Sequence, residues 1–116
     1  MDLQLDGRTA LVTGASMGIG RGIALALAAE GVRLAVVARR KALLDELAAE
    51  IVASKGPRPA VIVADIMAAD AANTISEQAL GALGRIDILI NNAGGSRKFA
   101  VYAPPSISFV FPLGRH

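Results

Sequence analysis

Thr13-Gly14-Ala15-Ser16-Met17-Gly18-Ile19-Gly20 follows the apolar run Ala10-Leu11-Val12 and opens a segment, Ile19 to Glu30, whose apolar positions recur at helical spacing. The stretch therefore stands at a strand-to-helix turn. Glycines at the spacing G-x-x-x-G-x-G let a backbone turn sharply and approach a ligand with no Cβ between them, and the free N–H groups of a starting helix point at an anion. A phosphate site is the first expectation. Taken alone, a glycine-rich turn can equally be a tight connection, so the rest of the chain must decide.

Working outward, Arg8 to Thr13 reads as a strand entered through the turn Asp6-Gly7, and Gly18 to Glu30 as a helix stopped by Gly31. Arg33 to Ala38 is almost wholly apolar, as a strand covered on both faces should be. From Lys41 to Ser54, Leu44, Leu47, Ala48 and Ile51 form one helical stripe, which ends at Lys55-Gly56-Pro57-Arg58-Pro59. Ala60 to Ala64 is a third strand, Ala68 to Leu83 a third helix stopped at Gly84, and Asp87 to Ile90 a fourth strand. Strands alternating with helices through short turns predict an α/β fold, a Rossmann-like parallel sheet with flanking helices and right-handed crossovers.

Composition agrees and excludes other classes. A chain of 116 residues fits one domain. With 53% apolar residues but 3% aromatic, the core has to be aliphatic. A net charge of +2 with no basic block gives no case for nucleic acid or an anionic membrane as partner. There is no cysteine for disulfide or thiolate chemistry, and the one histidine is the terminal His116. The start, Met1 to Asp6, carries acids where a signal peptide needs a basic flank, and no stretch approaches the roughly 18 apolar residues of a membrane span. A cytoplasmic protein is the expectation.

Local agreement stops after Gly95. All three phenylalanines, the only tyrosine and three of the five prolines fall in the last 18 residues, and Pro104-Pro105 breaks any helix starting after Arg97. Ile107 to Phe111 could form a short strand with no evident partner. Residues 1–95 are accordingly read as part of a dinucleotide-binding domain, and 96–116 as an irregular, divergent tail to which no chemistry is assigned.

Four features fall at the carboxyl ends of successive strands, the rim where open α/β sheets collect ligands. They are the glycine turn, Ala38-Arg39-Arg40, Asp65-Ile66, and Asn91-Asn92-Ala93-Gly94. Singly, each has a plainer reading: Arg39 and Arg40 as solvated charges, Asp65 as a helix cap, the asparagines as turn formers. Together, in this order and spacing from Leu5 to Gly95, they resemble the N-terminal part of the short-chain dehydrogenase/reductase family of NAD(P)-dependent oxidoreductases. TGxxxGxG stands at Thr13 to Gly20, the acidic residue after the third strand is Asp65, and NNAG is Asn91 to Gly94.

The resemblance implies that Gly14, Ser16, Met17, Gly18, Ile19 and Gly20 cradle a pyrophosphate, that Asp65 with Ile66 meets the adenine, and that Asn92, Ala93 and Gly94 lie against the cofactor ribose. Met17 stands where many NADP-using members have a basic residue. At the end of the second strand, a fold that prefers NAD usually has a carboxylate for the ribose 2′-OH. Here that place is Ala38, followed by Arg39 and Arg40, whose guanidinium groups can pair with a 2′-phosphate. NADP(H) is thus expected in preference to NAD(H).

Family catalysis rests on a Tyr-x-x-x-Lys helix and an upstream serine, on elements beyond the fourth strand. Tyr102 is the only tyrosine and the residue four later is Ser106, so no catalytic residue is assigned. The expectation is a family member truncated after the fourth strand, whose tail is either genuine or the product of a shifted reading frame. The alternatives are a non-catalytic nucleotide-binding module and a non-functional fragment. The family's substrate loops and interface helices lie outside the match, so substrate and oligomeric state have no residues here to carry them.

Overall fold

A computed structural model describes residues 5–65, 68–92 and 99–102. Strands β1 (Thr9–Thr13), β2 (Arg33–Ala38), β3 (Ala60–Val63) and β4 (Ile88–Asn92) alternate with helices α1 (Gly18–Ala29), α2 (Lys41–Ala53) and α3 (Ala71–Leu83), and β5 (Phe99–Tyr102) follows. The strand order is β3-β2-β1-β4-β5. The first four strands are parallel; β5 runs antiparallel to β4, with Asn92 opposite Phe99 and Leu89 opposite Tyr102. The parallel α/β sheet is the one expected from the sequence.

Alternation along the strands sorts the core into two layers. Ala10 and Val12 of β1, Leu34, Val36 and Ala38 of β2, and Ile88 and Ile90 of β4 pack with Ile23 and Leu27 of α1 and Leu44, Leu47 and Ile51 of α2. Leu11, Ala35, Val37 and Ile62 face the other way and are covered by Ala71, Ile75, Ala79 and Leu83 of α3. Two helices therefore cover one face of the sheet and one covers the other. Each fully buried leucine contributes about 1.5–3 kcal/mol, and Leu5, Leu27, Leu34, Leu44 and Leu47 all lie in the layer covered by α1 and α2.

Three differences from the sequence reading have local causes. α3 begins at Ala71 rather than Ala68, because the Ala68 amide bonds the Asp65 carbonyl (2.9 Å) and the Ala71 amide bonds the Ala68 carbonyl (3.1 Å), closing turns ahead of the helix. β4 continues through Asn91 and Asn92. A fifth strand, which the sequence reading did not assign, covers the edge of β4 with Phe99–Tyr102, a short run of residues that suit a pleated edge.

The amino ends of β1 and β4 are clamped together at the rim opposite the glycine turn. The Asp87 carboxylate accepts from the Thr9 amide (3.0 Å), the Thr9 hydroxyl (3.3 Å) and Arg85 Nε (3.1 Å), while the Asp87 amide donates to Thr9 Oγ1 (3.0 Å) and to the Thr9 carbonyl (3.0 Å). Burial opposes the charge on Asp87, but the Thr9 amide, the Arg85 guanidinium and the Thr9 hydroxyl outweigh it and hold the carboxyl below the usual carboxylate range.

Candidate functional site

The sheet register brings the sequence features to one rim. Thr13, the last residue of β1, lies opposite Val37, Ala38 opposite Val63, and Val12 opposite Ile90, so the chain leaves β1, β2, β3 and β4 at the same edge. Hydrogen bonds continue past the strands: the Ala15 amide bonds the Val37 carbonyl (3.1 Å) and the Ala64 amide bonds the Ala38 carbonyl (3.0 Å). The glycine turn is thereby pinned to the end of β2, and the approach to Asp65 is pinned to Ala38.

Gly14 and Gly18 have φ of 63° and 64°, the left-handed region in which a side chain is strained. A Cβ on Gly18 would meet nothing within 4 Å, so the space above the turn is open. Met17 holds the N-cap of α1 in extended backbone, and no side chain caps the helix. The first-turn amides of α1 are left to another acceptor, and no acidic residue sits in that turn to repel one. Ala15 is buried and Ser16 half-buried, while Met17 and Ile19 are exposed, Met17 at 57%. Gly20 is buried, where α1 enters the core. An open left-handed glycine beside uncapped helix amides fits the pyrophosphate of a dinucleotide.

At the end of β2, Arg39 and Arg40 are both exposed, and Arg40 is the N-cap of α2, again without a side-chain cap. Lys41 is paired with Asp45 (2.8 Å) one turn along α2. Among the described residues neither Arg39 nor Arg40 makes an ion pair, so both guanidinium groups are available to an incoming anion. Asp65 is exposed just beyond β3, and the N-cap position of α3 is held by Asp70, without a side-chain capping bond. The backbone of Asn92 ends β4 at the same rim. Ile66, Ala93 and Gly94 lie outside the described residues.

Two contacts at or near this rim went unread in the sequence. The buried Thr13 hydroxyl bonds Asn91 Oδ1 (3.0 Å) and ties the root of the glycine turn to the end of β4. Arg21, in the first turn of α1, pairs with Glu50 of α2. Both join residues far apart in the chain, and only the threonine ahead of the first glycine hinted at the former. A groove of about 570 Å³ along α2 and β3, lined by Asp45, Val52, Arg58 and Val61 among others, touches none of the glycine turn. Among the described residues no group of acidic or histidine side chains could hold a metal ion, and no helix is long and apolar enough to cross a membrane.

Comparison with known proteins places the same residues in one family. The family model described as short chain dehydrogenase matches residues 8–107. L-xylulose reductase of Bos taurus is 48% identical over 93 residues, which is 80% of this chain and 34% of that protein. The crystal structure of L-sorbose reductase from Gluconobacter frateurii, complexed with NADPH and L-sorbose, superposes with a TM-score of 0.76 at 35% identity, covering 81% of this chain and 36% of that one. A metagenomic short-chain oxidoreductase in complex with NADP gives 0.72 at 41% identity, covering 78% of this chain and 40% of the other. The chain spans about a third of the length of the curated relatives it matches.

Proposed function

The chain belongs to the short-chain dehydrogenase family, and from that premise we propose that it is the NADP(H)-binding portion of an oxidoreductase that moves hydride between the nicotinamide and a carbonyl or alcohol substrate. The observation that carries this reading is an open glycine turn beside two exposed guanidinium groups, just past the end of the neighbouring strand β2, that make no ion pair among the described residues.

In this reading the first-turn amides of α1 and the backbone of Gly14 to Gly20 hold the pyrophosphate, with the helix dipole adding about 0.3–1 kcal/mol toward the anion. Arg39 and Arg40 take the 2′-phosphate. Ala38 leaves no carboxylate to repel it, which favours NADP(H) over NAD(H). Asp65 and Ile66 meet the adenine, and Asn92 to Gly94 back the ribose. The Thr13–Asn91 bond keeps the turn and the end of β4 in step. The bound cofactor supplies or accepts the hydride; this chain's residues bind it and orient it.

Proton transfer is a separate requirement, commonly worth about 10²–10⁴-fold in rate. Tyr102 lacks a lysine four residues on and lies on β5, paired with β4 opposite Leu89, so we assign it no catalytic part. Residues 1–95 are the cofactor-binding part and the chain by itself is inactive, a nucleotide-binding module when tested alone. The test is Arg39→Gln combined with Arg40→Gln. The pair should weaken NADPH binding at least about tenfold and leave NADH within about twofold, as expected for loss of charge-assisted phosphate bonds. Equal loss for both dinucleotides would remove these arginines from the 2′-phosphate.

A further inference from the structure

Arg21 is a cation in the wrong place for its own helix. Its amide bonds the Met17 carbonyl (3.5 Å), which puts it in the first turn of α1, where the helix dipole disfavours positive charge. Its guanidinium is instead held by the Glu50 carboxylate of α2, with the two side chains 32% and 48% exposed. An ion pair this open to water contributes little and exchanges partners readily. Glu50 stands nine residues beyond Lys41 along α2, so the pair is set below the rim that carries the glycine turn.

Arg21 is also four residues beyond Met17, hence one turn below it on the same face of α1. Helical side chains lean toward the N-terminus and cover the preceding turn. For Arg21 that turn is Met17-Gly18, where Gly18 has no side chain and open space above it. Met17 itself brings no charge to the anion, and between Thr13 and Ile23 the sequence of the glycine turn and the start of α1 carries one cation, Arg21.

We infer that Arg21 is a phosphate ligand held in reserve: it leaves Glu50 for a phosphate of the bound dinucleotide, and Glu50 lowers affinity by competing for it. This rests on the dinucleotide reading above. Glu50 is then a specificity and affinity control placed on the neighbouring helix. Its strength follows Coulomb's law across two partly exposed groups and falls with salt.

The experiment is calorimetric titration of the 116-residue chain and three variants, Glu50→Gln, Arg21→Gln and the double variant, with NADPH and with NADH at low ionic strength. Glu50→Gln should tighten NADPH binding about fivefold, Arg21→Gln should weaken it by a similar factor, and the double variant should match Arg21→Gln because the gain needs the freed guanidinium. A gain for NADPH and NADH together identifies the pyrophosphate as the target; a gain for NADPH alone identifies the 2′-phosphate. At about 0.5 M salt the gain should vanish. Glu50 is exposed and Arg21 half-buried, and circular dichroism melts establish that each variant is folded. Unchanged or weaker binding by Glu50→Gln, with wild-type binding intact, overturns the inference and leaves the dinucleotide reading standing. Absence of binding by all four chains overturns both.

Discussion

Replacing Asp87 by alanine should unlock the lower rim of the sheet. The side chain is 12% exposed and accepts from the Thr9 amide at 3.0 Å, the Thr9 hydroxyl at 3.3 Å and Arg85 Nε at 3.1 Å. Thr9 is itself 1% exposed, so its hydroxyl would lose an acceptor in a place water barely reaches. A hydrogen bond to a charged group is worth about 1.5–3 kcal/mol net, and part of it survives because the Thr9 and Asp87 backbones still pair; the expected loss is about 2–4 kcal/mol. That is a large fraction of the roughly 5–15 kcal/mol that holds a domain together. Asp87→Asn, which keeps an oxygen for the Thr9 amide but not the charge facing Arg85, should cost less.

The pH dependence has a definite sign. Asp87 has a folded-state pKa below its unfolded value, so its contribution is present above the unfolded carboxylate pKa, about 3.9, and is lost as pH falls through the folded pKa. Urea unfolding followed by circular dichroism should show Asp87→Ala well below wild type at pH 7, with the gap narrowing as the buffer is taken below pH 4. A gap that is absent at pH 7, or that stays constant down to the acid limit, would refute the clamp.

Two further substitutions probe the backbone. Lys55 has φ of 68° at the end of α2, where its amide reaches back to the Val52 carbonyl (2.9 Å) and the Gly56 amide to the Ile51 carbonyl (2.9 Å). Lys55→Gly should raise stability by about 0.5–1 kcal/mol by removing left-handed strain, and an unchanged melting temperature would contradict that. Gly31, with φ of 83°, would place a Cβ 2.1 Å from Asp6 Oδ1, so Gly31→Ala should cost about 1–3 kcal/mol in the same urea assay.

What the sequence made legible was whatever is encoded locally. β2 matched its expected range at both ends because the five-residue apolar run Leu34 to Ala38 is entered through Arg33 and closed by Arg39-Arg40. The end of α2 followed from Ser54 to Pro59. The start of α3 was misplaced because Ala68 to Ala72 has alanines throughout and no strong start signal other than Asp70, which proved to be the N-cap. β5 was not foreseen because four residues show too little alternation and their partner, β4, is recognised only once the chain has turned back. The candidate site divides the same way. Glycine spacing and the Arg39-Arg40 pair are local and readable, whereas Thr13–Asn91, Arg21–Glu50 and Thr9–Asp87 join residues 78, 29 and 78 positions apart. Such contacts exist only in the folded sheet.

Binding of NADPH and NADH by this chain tests the central claim most directly. Calorimetric titration at moderate salt should give one site per chain, with NADPH bound at least about tenfold more tightly than NADH. A folded chain that binds neither dinucleotide, or that prefers NADH, would contradict the account.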